Sequence, residues 1–244
     1  MCRMLAISSE PADPELSREY IFSLFQMAAG HPDGWGLVHF ADDRPVLLKA
    51  PVRADRSAEA RRAAAGPCSP IMIGHIRKAS IGGHIWENTH PFVDGPWAFC
   101  HNGTVDVHNI LRQRLRPERR RRLKGGTDSE VLFQWALQNV EECGDTAQGL
   151  EEAIRSLVSI KGPSTSSLDF LLSDGETLYA YNLAFKRHHH FALHWAKKSD
   201  PIEGGRAIII CSEPLDSAEG WMRMENDTLA IVRDGRSPQF RSLL

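Results

Sequence analysis

Apolar residues fall into short runs bounded by turn residues, the pattern expected of strands. Residues 4–7, 35–40, 46–49, 71–76 and 97–100 read this way. So do residues 168–172, 178–183, 191–195, 206–211 and 228–232. Several runs are joined by only a few residues, as at Ser173-Asp174-Gly175-Glu176. Such connections suit antiparallel hairpins, because a parallel pair needs a long crossover. Elsewhere the spacing turns helical. Residues 17–29 place Ile21, Leu24, Phe25 and Ala28 on one stripe. Residues 127–142 open with Thr127-x-x-Glu130, a capping box, and repeat Val131, Leu132, Trp135, Ala136 and Val140. Leu150, Ala153, Ile154, Leu157 and Val158 mark another helix. Many strands with a few two-faced helices predict stacked antiparallel sheets covered by helices. No internal repeat or linker interrupts this pattern, so residues 1–244 read as a single domain.

Composition narrows the picture. The 244 residues are 42% hydrophobic and 25% charged, with a formal net charge of −2. That is ordinary for a globular chain, and no global field points to nucleic acid or a membrane surface. No signal peptide and no membrane-spanning run is expected. The five cysteines, at 2, 68, 100, 143 and 211, are widely spaced and form no CxxC. Reduced thiols in a cytoplasmic protein are expected, with no metal site and no cofactor.

Candidate chemistry begins at the second residue. Trimming of Met1 leaves Cys2 with a thiol and a free α-amine. The amine titrates near ~7.7–8.0, so one residue can supply nucleophile and base. Arg77 closes the apolar run of Gly74-His75-Ile76-Arg77 and can turn into a pocket to hold a carboxylate, or form a surface salt bridge. Asn102-Gly103 first reads as a turn after a strand. It can also offer an amide and a backbone N–H as an oxyanion hole. Asp128, beside Gly125-Gly126, suits a first helical turn and can also be the counter-ion of a substrate ammonium.

These segments, in this order, resemble the class II glutamine amidotransferases. The resemblance extends to His31-Pro32-Asp33-Gly34-Trp35-Gly36-Leu37, Glu87-Asn88-Thr89-His90-Pro91-Phe92, Phe170-Leu171-Leu172-Ser173-Asp174-Gly175 and Ser212-Glu213-Pro214-Leu215. It implies an α+β fold, the four-layer αββα N-terminal-nucleophile hydrolase sandwich of two antiparallel sheets flanked by helices. It implies one glutamine amidotransferase domain over 1–244, active as 2–244. It makes Cys2 the nucleophile, Asn102 and Gly103 the oxyanion pair, Arg77 the binder of the substrate α-carboxylate and Asp128 the holder of its α-ammonium.

The expected reaction attacks the γ-amide of glutamine or of a γ-glutamyl compound. Two enzyme readings stay open. Ammonia passes to a separate synthase subunit, or the protein cleaves a γ-glutamyl peptide or metabolite. A reading of another class is an inactive binding protein that uses the basic segment 112–124, but it predicts a missing catalytic position and none is missing. No acceptor domain, ATP loop or iron–sulfur cysteine set is read. Within 112–124, Pro117 should break any continuous helix, and the charge run reads as a solvated face or an attractor of anions. His188-His189-His190 reads as a strand or hairpin tip, because adjacent strand residues face opposite ways. Cys100 is expected to be buried and inert, and His101 is given no acid–base role.

Overall fold

The computed structural model describes residues 2–160, 165–185, 192–199, 205–217 and 219–244. His188-His189-His190 and Phe191 lie outside the described residues. The chain forms two antiparallel sheets flanked by helices, the αββα sandwich. The first sheet contains β1 (Arg3–Glu10), β2 (Gly34–Ala41), β3 (Arg44–Ala50) and β4 (Ile71–Arg77). The second begins with β5 (Phe92–Asp94) and β6 (Trp97–Gly103), and adds β7 (Leu168–Ser173) and β8 (Thr177–Asn182). Later in the chain, β9 (His194–Ser199), β10 (Arg206–Cys211) and β11 (Met222–Arg223) return to the first sheet. Finally β12 (Thr228–Arg233) and β13 (Gln239–Arg241) complete the second. The strand orders are β11-β9-β10-β1-β4-β2-β3 and β13-β12-β8-β7-β6-β5.

Side-chain alternation along each strand builds three apolar layers. In β1, Leu5 and Ile7 face the helices α1 (Pro14–Gln26) and α2 (Ala58–Ala65), packing on Ile21, Leu24 and Ala60. Met4 and Ala6 face the other sheet, where Ala98, Cys100 and Leu171 meet them. On the far side, Phe99, Phe170 and Tyr181 pack on α5 (Asp128–Cys143) and α6 (Thr146–Ile160). Caps fix the helix starts: Asp13 Oδ1 accepts from Leu16 N at 2.9 Å, and Thr127 Oγ1 from Glu130 N at 3.2 Å. The Thr127 box is only half formed. The Glu130 carboxylate instead accepts from the N–H groups of Lys124 and Gly125, both at 2.8 Å.

Pro117 does break the basic segment, between α3 (His108–Arg114) and α4 (Pro117–Arg120). The expected solvated face is only part of the outcome. Arg119 is buried, pairing with Asp94 at 2.7 Å and also with Glu141, while Arg122 bonds Asp94 as well. No helix among the described residues is long and apolar enough to cross a membrane.

Candidate active site

Cys2 immediately precedes β1, and the residues after it are tightly pinned. Met4 N donates to Ser212 Oγ at 3.1 Å and Ser212 N returns a bond to Met4 O at 3.0 Å. Arg3 pairs with Glu213 at 2.5 Å. The Ser212-Glu213 motif, far along the chain, therefore holds the start of β1 in place. The Cys2 thiol sits against the end of β4, where its Sγ accepts from Lys78 N at 3.2 Å and lies 3.3 Å from Lys78 O. Burial pushes the thiol pKa up, and the Lys78 N–H and then the Arg77 charge pull it back. A resting thiol of this kind needs a base.

Cys2, Arg77, Gly103 and Asp128 line one cavity of about 330 Å³, together with the 78–81 segment, His90, His101 and Ser129. That volume sits at the small end of the ~300–1,000 Å³ of small-molecule sites. Arg77, on the inter-sheet face of β4, is 2% exposed, so it is no surface ion-pair partner. Its guanidinium donates to the carbonyls of Ile81 at 2.8 Å, Gly83 at 3.1 Å and Gly82 at 3.4 Å. Burial lowers its pKa, with Cys2, Asp33 and Asp128 opposing. Asp128 opens α5, and its Oδ2 accepts from Val105 N at 2.7 Å. A cation and an anion thus share one cavity with a thiol.

Asn102 and Gly103 differ from the turn reading. Both lie in β6, where Asn102 pairs with Asp169 and Gly103 with Leu168. Asn102 is buried and does not line the cavity; its Nδ2 donates to the Cys2 carbonyl at 3.2 Å. Gly103 has φ +145, and an added Cβ would lie 2.2 Å from Ser167 O. Gly125 is bare for a packing reason. A Cβ there would meet Asn88 Oδ1 at 2.4 Å, so its bareness admits Asn88 rather than a ligand. Asn88 in turn accepts from Gly126 N at 2.8 Å and donates to Gly83 O at 3.1 Å, joining the loop that Arg77 holds to the start of α5.

Other supporting residues were not legible beforehand. Ser167 Oγ donates to Asn102 O at 2.8 Å. His101 Nε2 donates to Ser167 O at 3.3 Å, and its Nδ1 lies 2.9 Å from Ser129 Oγ. Asp33 Oδ2 accepts from Ala79 N at 2.7 Å and Asp33 N donates to Arg77 O at 3.1 Å, setting the turn beside the thiol. The Asp33 and Asn88 motifs carried the only signal for these contacts; nothing marked Ser167. Cys100 is buried and its pKa is pushed far up by burial.

Residues 1–242 match the family described as class II glutamine amidotransferases. An uncharacterised protein of Methanocaldococcus jannaschii is 31% identical over 96% of this chain and 70% of its own length. Among solved structures, a glutamine aminotransferase class-II domain protein from Silicibacter pomeroyi aligns over the whole of both chains, with a TM-score of 0.70 and 23% identity. A glutamine phosphoribosylpyrophosphate amidotransferase from B. subtilis aligns over all of this chain and 49% of its own, with a TM-score of 0.68 and 15% identity. Both structural likenesses are likenesses of fold.

Proposed function

The chain belongs to the class II glutamine amidotransferases, and from that premise we propose that it hydrolyses the γ-amide of glutamine with Cys2 as nucleophile. The observation that carries this reading is the single small cavity shared by the Cys2 thiol, the Arg77 guanidinium and the Asp128 carboxylate. Free glutamine offers a matching carboxylate, ammonium and amide. In this reading the active chain begins at Cys2, and residues 2–244 act as one domain. The Cys2 α-amine takes the thiol proton as sulfur bonds to the γ-carbonyl carbon. The oxyanion is held by the Asn102 amide, which has a second N–H beside the one given to Cys2 O, and by the Gly103 N–H. The amine returns its proton to nitrogen as the C–N bond breaks and ammonia leaves. Water, deprotonated by the same amine, then attacks the thioester, and glutamate is released as the C–S bond breaks. Arg77 binds the α-carboxylate and Asp128 the α-ammonium.

A larger γ-glutamyl compound shares the same γ-glutamyl end, and a direct assay separates the cases. Ammonia from glutamine is compared with glutamate from a panel of γ-glutamyl peptides. Turnover of glutamine is expected; a strong preference for the peptides would replace glutamine as the substrate. Cys2→Ala should abolish turnover without unfolding the chain, and undiminished activity in it would reject the mechanism. Intact-mass measurement should find Met1 absent from active enzyme. The reading places the protein in the cytoplasm, in keeping with its unpaired cysteines.

A further inference from the structure

A second cavity, of about 500 Å³, has a lining that shares no residue with the first. The basic segment reaches it through Arg121, Arg122 and Lys124, while Lys49 of β3 joins from the first sheet. Its apolar lining is Leu47, Trp86, Phe92, Val93 and Phe133, and Trp86 is 45% exposed. The Lys49 ammonium stands 4.2 Å from the Trp86 ring centroid.

The charges in this cavity are unevenly satisfied. Cations exceed acids by one, with Glu87, Asp94 and Glu130 set against Lys49, Arg121, Arg122 and Lys124. Asp94 already accepts from Arg119, Arg122 and Gln134. The Glu130 oxygens already accept from two backbone N–H groups. The cations are less occupied. Among the described residues, Lys49 Nζ donates to neutral carbonyls, Thr89 O at 2.6 Å and Pro91 O at 3.3 Å. Among the described residues, Arg121 and Lys124 have no carboxylate partner. Burial lowers the Lys49 pKa to about 8, so an incoming anion would favour its charged form.

We infer that this cavity binds a small organic anion, its phosphate or carboxylate head held by Lys49, Arg121 and Lys124 and its apolar body laid against Trp86 and Phe92. Guanidinium and ammonium groups recognise such heads by charge-assisted hydrogen bonds, and the open indole offers a ring or alkyl body its contact surface. This inference does not depend on the amidohydrolase reading, because the two cavities share no lining residue.

Titration calorimetry on the full chain tests it without turnover, using phenyl phosphate, benzoate, inorganic phosphate and benzyl alcohol as probes. Phenyl phosphate should bind saturably, about tenfold or more tighter than inorganic phosphate and than benzyl alcohol. A benzoate affinity equal to that of phenyl phosphate would assign a carboxylate head; weaker benzoate would assign a phosphate. The Arg121→Gln/Lys124→Gln double variant changes two exposed residues, so its fold should persist, and it should lose about tenfold in affinity for phenyl phosphate. Trp86→Ala should weaken phenyl phosphate and leave inorganic phosphate unchanged. The inference is overturned by the absence of saturable binding for both organic anions, by benzyl alcohol binding as tightly as they do, or by undiminished affinity in the double variant.

Discussion

At Arg77 and Asn102 the same neighbourhood asks two different things of a polar side chain. Arg77 would bind a carboxylate whose charge is constant through the reaction, so its loss falls first on binding. It also holds three carbonyls of residues 81–83, and lysine can reproduce neither the planar fork nor those bonds. Arg77→Lys should therefore raise KM, with a smaller fall in kcat because the α-carboxylate also positions the amide. In the proposed reaction Asn102 would instead direct its donor at charge that exists only in the transition state. Asn102→Ala should mainly lower kcat, by roughly 10²–10³-fold as for comparable oxyanion donors. Steady-state kinetics on glutamine distinguishes the two. A fall in kcat alone for Arg77→Lys would place Arg77 outside the substrate pocket.

Helices α5 and α6 carry the site from behind. Asp128 is the first residue of α5, and the helix packs on the second sheet through Val131, Leu132 and Trp135. It stops at Gly144, whose φ of +70 and N–H bond to Val140 O at 2.9 Å form a left-handed C-cap. Helix α6 then folds back so closely that a Cβ on Gly149 would lie 2.4 Å from Val140 Cα. Backbone on both sides leaves nothing cheap to move. Helix propensity alone would favour alanine over glycine by ~1 kcal/mol. Overpacking costs ~1–3 kcal/mol, so the clash should win. Gly149→Ala is expected to lower unfolding free energy in urea. A stabilised variant would show that the two helices separate readily.

Across the whole molecule, buried titratable groups set opposing pH slopes. Burial holds His75 neutral with its pKa lowered to about 3, and pushes His90 and His101 down as well. These groups take up protons on unfolding below the ordinary 6.5, so each removes stability as pH falls, by up to ~1.4 kcal/mol per unit. Buried Asp169 is shifted the other way, from 3.8 to about 8. Its folded form keeps a proton that the unfolded chain gives up, so its contribution is full below pH 3.8 and is lost as pH rises towards 8. Three histidines outweigh one carboxyl below pH 6.5; above it the carboxyl dominates until Lys49, lowered to about 8, begins to oppose it. Stability should therefore peak near pH 6.5, and Asp169→Asn should flatten the decline from 6.5 to 8. Urea unfolding from pH 5 to 8 reads both; a steady rise to pH 8 in the native chain would contradict the assignment.

The strands and amphipathic helices were legible because their signals are local: alternation with period two, stripes with period 3.6, and turn residues between them. The motifs also singled out Cys2, Arg77, Gly103 and Asp128, which share one cavity, and Asn102, which does not line it. The short strands β5, β11 and β13 and the helices α2 and α3 were not, since their few residues are ordered by neighbours rather than by a repeat. Only the tertiary structure made Asn102-Gly103 a strand instead of a turn, because the partner that extends β6 is β7, some 65 residues away. It also divided the basic segment between a buried ion network around Arg119 and a second cavity with Lys49 and Trp86. A charge run in sequence does not state its partners; those are chosen by which distant carboxylates and rings the sheets bring within reach.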